Sequence, residues 1–176
     1  MTIFGVGWTL RRKLEVHVRE SDSILDIGCG IRPLADLRFN NPMLCVDIYP
    51  PYLDRIKRDK LTLLWDARKP LDCFIDQSYD VVALFDIIEH LDKETAVSLI
   101  FQAQSIARRK VVVFTPDGFL PQDSDAWKMG GDEFQKHRSG FKLNELQDLG
   151  FKCQTIPVPE DHQHPSHEAI FGVWTR

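Results

Sequence analysis

Short apolar runs that end at acidic residues recur along the first half of the chain. Four such runs carry Asp26, Asp47, Asp66 and Asp86 at or near their carboxyl ends, about twenty residues apart. An apolar run of this length between polar residues is typical of a strand buried in a parallel sheet. Because the carboxyl ends of parallel strands share one sheet edge, the pattern predicts a ligand cleft lined by four carboxylates.

Segments whose sequence favours a helix alternate with these strands. Helices are predicted over 8–20, just after Pro33, and over 49–58, 94–107 and 143–149. Besides the four acid-ending strands, of which the first covers 23–27, strands are predicted over 110–114, 151–156 and 169–175. The last two are joined by a His- and Pro-rich loop without a helical pattern, so they should form an antiparallel hairpin at a sheet edge. The order predicts a single α/β domain, 1–176, with a mostly parallel sheet.

Composition narrows the classes of protein. The chain has 176 residues, 43% of them hydrophobic and 27% charged, which suits one compact domain. A net charge of −4 argues against a broad basic surface for nucleic acid. No apolar run is long enough to span a bilayer, and no signal peptide is apparent, so a cytoplasmic protein is expected.

The four cysteines do not indicate a disulfide framework or a metal site. Cys45 lies in a predicted strand and Cys153 in another, so both are expected to be small buried apolar side chains. Cys29 lies in a glycine turn, where a catalytic thiol is conceivable but has no evident partner base.

Residues 24–30, Ile-Leu-Asp-Ile-Gly-Cys-Gly, describe a buried strand that breaks into a tight turn. The two glycines let the backbone pass close to a ligand. A dinucleotide-binding oxidoreductase would require a third glycine for close packing of the next helix, and Pro33 and Leu34 stand in that region instead.

The ordered set of motifs resembles the class I S-adenosylmethionine-dependent methyltransferases. The glycine turn at 25–30 is similar to the first motif of that family, and Asp47 to the acid that ends its second strand. Asp66-Ala67 matches the acid-small pair after strand three, and Ile88-Glu89-His90-Leu91 matches the exit of strand four in one common branch. The resemblance implies a Rossmann-like three-layer sandwich with a seven-stranded, mostly parallel sheet and an antiparallel C-terminal hairpin.

The resemblance also implies that S-adenosyl-L-methionine is the cofactor, and it assigns roles to individual residues. Asp26 would orient the ammonium group, Asp47 would accept the ribose hydroxyls, and Asp66 would address the adenine amine. The cofactor-binding residues implied by the resemblance are Asp26, Gly28, Cys29, Gly30, Asp47, Ile48, Asp66, Ala67, Phe85 and Asp86.

Glu89 and His90 follow strand four, close to the expected position of the methyl group. His90 is a candidate general base, and the alternative is that both residues only pack at the start of a helix. Asp86, Glu89 and His90 are also similar to the Glu-x-x-Glu-His segment with which some O-methyltransferases bind a divalent metal, with His137 as a conceivable fourth ligand. The motif is more often metal-free, so no metal is expected, and His162, His164 and His167 are expected to lie in a solvated loop.

Residues 116–142 form a segment too long for a simple connection, and long ordered segments of this kind are usually functional. Trp127 and Phe134 are candidates for an acceptor wall, and His137 and Arg138 for contacts to an acceptor acid or hydroxyl. We expect such contacts to be separable from cofactor binding. The alternative is a cover that only packs, with Arg138 tied to a surface carboxylate.

The sequence thus predicts methyl transfer to the O or N atom of a small-molecule acceptor, with Glu89, His90 and His137 as candidate catalytic residues. Nucleic acid and membrane are not expected partners, and the oligomeric state is not indicated. The alternative is a catalytically silent domain of the same fold that binds cofactor or a partner.

Overall fold

The protein is described by a computed structural model over residues 6–31, 41–157 and 168–176. Its helices are α1 (Val6–Glu15), α2 (Pro50–Ile56), α3 (Lys93–Ile106), α4 (Asp132–Gln135) and α5 (Leu143–Asp148), with a 3₁₀ turn at Ile88–His90. Its strands are β1 (Ile24–Ile27), β2 (Met43–Asp47), β3 (Leu61–Leu64), β4 (Tyr79–Phe85), β5 (Ala107–Pro116), β6 (Lys152–Pro157) and β7 (Glu168–Thr175).

These strands form one sheet in the order β3-β2-β1-β4-β5-β7-β6. The pairs from β3 to β5 are parallel, and β7 lies antiparallel between β5 and β6. The Rossmann-like mixed sheet and its antiparallel C-terminal hairpin are therefore confirmed. The strand order reverses at β1 and β4, which places the carboxyl ends of these two strands at the point where ligands bind in open α/β sheets.

Helices cover both faces of the sheet, because the central strands are apolar on both sides. Leu25 and Ile27 of β1 pack into the core that α3 and α5 cover, and Ile24 packs into the core beneath α1 and α2. All four residues of β1 are buried. This two-sided burial makes a three-layer sandwich and explains why the central strands read as continuous apolar runs.

The bounds of several elements differ from the sequence prediction. Helix α1 ends at Glu15 rather than at residue 20, and β3 ends at Leu64, so Asp66 follows the strand instead of ending it. Strand β5 begins at Ala107, directly after α3. The predicted strand begins at residue 110, because residues 108–110 are polar and do not look like a buried strand. Ala107 pairs with Tyr79 of β4, and this tertiary contact extends the strand.

Two sequence predictions fall outside the described residues: the short helix after Pro33 and the positions of His162, His164 and His167. None of the helices in the described part of the chain is long and apolar enough to cross a membrane.

Candidate functional site

The glycine turn after β1 is bonded to the neighbouring strand β2. Gly28 and Gly30 have φ angles of +75° and +54°, which side chains with a Cβ rarely adopt. The N–H groups of Gly28 and Cys29 donate to the carbonyl of Val46, at 2.8 and 3.0 Å. The turn therefore presents its backbone at the carboxyl edge of the sheet, beside the end of β2.

Asp47 ends β2 and is 8% exposed. Its Oδ2 accepts a hydrogen bond from the Gly30 N–H and its Oδ1 accepts one from the Tyr49 N–H, each at 2.9 Å. Burial raises the pKa of Asp47, and the N–H groups of Tyr49, Gly30 and Ile48 oppose that rise without cancelling it. Each carboxylate oxygen can accept a further hydrogen bond, so Asp47 can still receive hydroxyl donors from a ligand.

The other acids of the predicted edge differ in their surroundings. Asp26 is buried within β1, between Cys45 of β2 and Ala83 of β4. Asp66 forms a bidentate ion pair with Arg68. The Nε and Nη2 atoms of Arg68 donate to the two carboxylate oxygens of Asp66, each at 2.9 Å. This guanidinium lowers the pKa of Asp66. The sequence signal for this ion pair is an acid followed two positions later by an arginine.

The exit of β4 reaches across to the glycine turn. Asp86 has a φ of +47°, and its N–H donates to the Phe114 carbonyl at 2.8 Å. The next residue, Ile87, packs against Gly28 so closely that a Cβ on that glycine would lie 2.7 Å from the isoleucine side chain. Phe85, at the end of β4, is half-buried and packs against the Phe114 ring. This packing fixes the distance between the turn and the residues that follow β4.

Two carboxyl groups lie within hydrogen-bonding reach of each other after β4. Glu89 is 1% exposed and Asp86 keeps contact with solvent. Burial, and then the Asp86 charge, raises the pKa of Glu89 well above its ordinary value. The surrounding protein also raises the pKa of Asp86, although the hydrogen bond with Glu89 opposes this rise. The Thr115 hydroxyl at the end of β5 donates to Glu89 Oε2 at 2.9 Å.

Two buried histidines lie beside this carboxyl pair. The rings of His90 and His137 meet at 63° with their centroids 4.8 Å apart. One carboxylate oxygen of Glu89 and one ring nitrogen from each histidine lie within 4.8 Å of one another. Burial, and then repulsion from His137, lowers the pKa of His90 to about 4. His90 is therefore neutral near pH 7, so a ring nitrogen can accept a hydrogen bond or bind a metal ion.

Residues 116–142 are called the insert below, and the backbone of this insert explains why His137 reaches its position. The N–H groups of Arg138 and Ser139 donate to the Glu89 carbonyl at 2.8 and 3.1 Å. The Arg138 guanidinium donates to the His90 carbonyl at 3.0 Å and forms an ion pair with Glu133. Of the two roles open to Arg138 from sequence, this arrangement corresponds to the structural one, in which it binds a surface carboxylate.

Asp125 organises the first half of the insert. Its carboxylate accepts hydrogen bonds from the N–H groups of Trp127, Met129 and Gly131, at 2.8, 2.7 and 3.0 Å. Its own N–H donates to Asp132 at 2.7 Å. This network gives residues 125–132 a defined turn, which no periodic pattern in the sequence predicts.

An aromatic cluster packs residues 125–132 against the glycine turn after β1. Trp127 meets Tyr52 edge to face at 4.8 Å, and Tyr49 contacts both Tyr52 and Phe134. A Cβ on Gly30 would lie 2.1 Å from the Trp127 ring. The Trp127 ring therefore lies directly against the glycine turn.

Neither a protein-family model nor a curated protein sequence matches the chain. Solved structures do match. A SAM-dependent methyltransferase from Methanosarcina mazei has a TM-score of 0.72 at 13% identity, over 93% of this chain and 96% of that one. A Burkholderia thailandensis 1,6-didemethyltoxoflavin-N1-methyltransferase with bound S-adenosylhomocysteine has a TM-score of 0.70 at 14% identity, over 97% and 77%.

A third similar structure is the magnesium protoporphyrin IX methyltransferase of Synechocystis with bound SAH, with a TM-score of 0.67 at 17% identity. That match covers 97% of this chain and 81% of the other. The strand order, the glycine turn beside Asp47 and these matches lead to one conclusion about architecture. The chain has the fold of the class I SAM-dependent methyltransferases.

Proposed function

We propose that the protein is an S-adenosylmethionine-dependent methyltransferase acting on an O or N nucleophile of a small molecule. The observation that carries this proposal is the buried carboxylate of Asp47 at the mouth of the glycine turn, where Gly28 and Gly30 expose the backbone. A carboxylate accepts hydrogen bonds and does not donate them, so this position favours a ligand with adjacent hydroxyls. The ribose of the cofactor has that chemistry.

The other residues around the cleft fit the remaining parts of the cofactor. Asp26 would hold the ammonium group, and the glycine turn would approach the methionine backbone. Asp66 would share its carboxylate between Arg68 and the adenine amine. The proposed cofactor contacts are Asp26, Gly28, Cys29, Gly30, Asp47, Ile48, Asp66, Ala67, Phe85 and Asp86.

A sulfonium methyl group is already electrophilic, so the cofactor supplies the reactive group. The chain has to hold a nucleophile in line with it and accept at most one proton. Glu89, His90 and His137 are the proposed acceptor-activating residues, because they converge in a buried cluster after β4. His90 is the candidate general base, and its neutral ring can accept a hydrogen bond from the nucleophile at neutral pH.

Two of the similar structures support a small acceptor. The Burkholderia protein was solved with bound 1,6-didemethyltoxoflavin, and the Synechocystis protein is named for magnesium protoporphyrin IX. The net charge of −4 gives this chain little attraction for a nucleic-acid backbone. In this proposal the half of the insert around His137 faces the acceptor, while Trp127 contacts the cofactor side.

One observation favours a second candidate, a silent domain of the same fold. The Trp127 ring lies against Gly30, where it limits the room above the glycine turn. Methyl transfer from labelled cofactor to a panel of hydroxylated, carboxylated and heterocyclic small molecules tests the proposal. Turnover with at least one acceptor supports the enzyme. Cofactor binding without turnover on any acceptor, in both wild type and Trp127→Ala, supports the silent domain.

A further inference from the structure

The cluster after β4 has the composition of a metal site. It contains three buried side chains from two segments of the chain: Glu89, His90 and His137. One carboxylate oxygen and two ring nitrogens of these residues lie within 4.8 Å of one another. Asp86 lies within hydrogen-bonding reach of Glu89 and keeps contact with solvent. A cation at this point would therefore have a solvent-connected side.

The orientation of the two imidazoles is set by backbone carbonyls. His137 Nδ1 lies 2.5 Å from the Leu120 carbonyl, and His90 Nδ1 lies 3.4 Å from the Lys136 carbonyl. A carbonyl oxygen accepts hydrogen bonds and does not donate them, so a proton on Nδ1 of each ring would satisfy these two contacts. Metal-binding histidines are usually held in this way, with one nitrogen donating to a carbonyl and the other available to the metal.

Among the described residues, Asp86 and Glu89 have no basic side chain as an ion-pair partner. In the part of the chain that the structure describes, no lysine or arginine forms an ion pair with Asp86 or Glu89. The Thr115 hydroxyl, a neutral donor, orients Oε2 of Glu89. A buried carboxylate beside a second carboxylate is costly without a cation, and a divalent ion bound at Glu89 would offset that cost.

The framework around the cluster is already in place. The Glu89 carbonyl accepts hydrogen bonds from the N–H groups of Arg138 and Ser139, directly after His137. The Arg138 guanidinium clamps the His90 carbonyl. These contacts fix the segment that carries His137 against the turn that carries Glu89 and His90, so an ion would not have to assemble its own ligands.

We propose that Glu89, His90 and His137, with Asp86 as a further oxygen ligand, bind one divalent first-row transition-metal ion. Two imidazoles with carboxylates suit Mn²⁺, Fe²⁺, Co²⁺ or Zn²⁺ better than Mg²⁺ or Ca²⁺. Ligand atoms that share one ion at about 2.1 Å stand roughly 3–3.5 Å apart, so binding requires a contraction of about 1–2 Å, within the reach of side-chain rotation. This departs from the metal-free site that the sequence motif alone favoured.

The proposed ion deepens the proposed function, and only its role rests on that function. A His90 that binds the ion uses its lone pair for the metal, so here the ion replaces His90 as the group that activates the acceptor. Three or four protein ligands leave positions open on a five- or six-coordinate ion. A hydroxyl oxygen of the acceptor would occupy one of them, which would orient it and lower its pKa. The inference therefore narrows the acceptor class from O or N nucleophiles to hydroxyl-bearing molecules.

The direct test measures ion binding without cofactor or acceptor. Untagged full-length protein is freed of metal with chelator and titrated with MnCl₂, with free Mn²⁺ followed by electron paramagnetic resonance and Zn²⁺ binding followed by calorimetry. We expect one ion per chain. Glu89→Gln and His137→Gln should each weaken binding at least about tenfold, the smallest effect expected when a metal-site residue is lost.

Matched controls separate this site from the other histidines. His17→Gln changes a histidine that stacks on Phe171, away from the cluster. A triple variant, His162→Gln, His164→Gln and His167→Gln, removes the histidines of the His- and Pro-rich segment. Both controls should bind the ion as the wild type does.

Unfolding curves report whether each variant is folded. If His137→Gln does not fold, Glu89→Gln still tests the site, because glutamine has nearly the same shape as glutamate. Absence of stoichiometric binding by the wild type overturns the proposal, and so does binding that Glu89→Gln leaves unchanged or that the triple variant abolishes.

A cofactor titration in excess chelator is independent of these results. A chain that binds the ion but not the cofactor would refute the methyltransferase proposal and leave the metal site standing.

Discussion

At the scale of single residues, Gly30 is contacted by both Asp47 and Trp127. Asp47 accepts the Gly30 N–H, and the Trp127 ring covers the Cα side of that glycine. A glycine is required at this position both for its φ of +54° and for the space that the indole takes. Residue 30 therefore couples the glycine turn to the insert.

This contact predicts that Trp127 reports cofactor binding. Trp127→Phe should remove most of the change in intrinsic fluorescence that the wild type shows when cofactor is added, because its indole lies on the glycine turn. Trp174→Phe is the matched control, since Trp174 lies on β7 beside Gly150. Equal fluorescence changes in the two variants would show that Trp127 does not border the cofactor.

At the scale of elements, the insert is a structured cover whose first half depends on one acid. The Asp125 carboxylate caps three N–H groups, and the second half is held by the hydrogen bonds from residues 138 and 139 to Glu89. Such long-range contacts carry no periodic signal in the sequence. This explains why the length of the segment was predictable and its fold was not.

Asp125→Asn should destabilise the protein by about 1–3 kcal/mol, because it replaces charge-assisted hydrogen bonds with weaker ones. The measurement is the free energy of unfolding in denaturant at pH 7. Asp123→Asn is the matched control, since Asp123 is exposed and forms only a 3.6 Å ion pair with Lys136. Equal losses in the two variants would contradict the central role of Asp125.

The same acid predicts a pH dependence. Burial would raise the pKa of Asp125, but the N–H groups of Gly131, Trp127 and Met129 together hold it below its ordinary value. The contribution of Asp125 to stability is therefore present above the ordinary pKa of about 3.9 and is lost as the pH falls through the lower folded value. The protection of the amide hydrogens of residues 127–131, relative to their intrinsic exchange rate at each pH, should fall in that acid range. Asp125→Asn should already exchange fast at neutral pH, and a variant with wild-type protection there would refute this mechanism.

At the scale of the whole molecule, the sheet and the acids at its edge could be predicted from sequence, because buried parallel strands leave a continuous apolar signal. Asp47 and Asp86 were located by that signal. The cluster of Glu89 and His90 with His137 could only be suspected, since residues 47 or more positions apart meet through the folding of the insert. The early start of β5 was hidden because Arg108–Lys110 read as polar.

The two-sided core makes a further prediction. Leu84→Ala in the central strand β4 should cost about 2–5 kcal/mol of unfolding free energy, because Leu84 is fully buried. The same substitution at Leu61, which is 70% exposed on the edge strand β3, should stay within about 0.5 kcal/mol. Denaturant titrations measure both values. Comparable losses at the two positions would contradict the assignment of β3 to an exposed sheet edge.

The central claim is that the glycine turn and Asp47 form a cofactor site. Calorimetric titration of the full chain with S-adenosylmethionine and S-adenosylhomocysteine tests it most directly, with NAD⁺ as the competing ligand class. We predict one site with an affinity in the micromolar range. Asp47→Ala should weaken that affinity by about 2–4 kcal/mol, because charge-assisted hydrogen bonds to the ribose are lost. Asp54→Asn, an exposed acid on α2, should leave the affinity unchanged. Failure of the folded wild type to bind either sulfur ligand, or tighter binding of NAD⁺, would contradict the account.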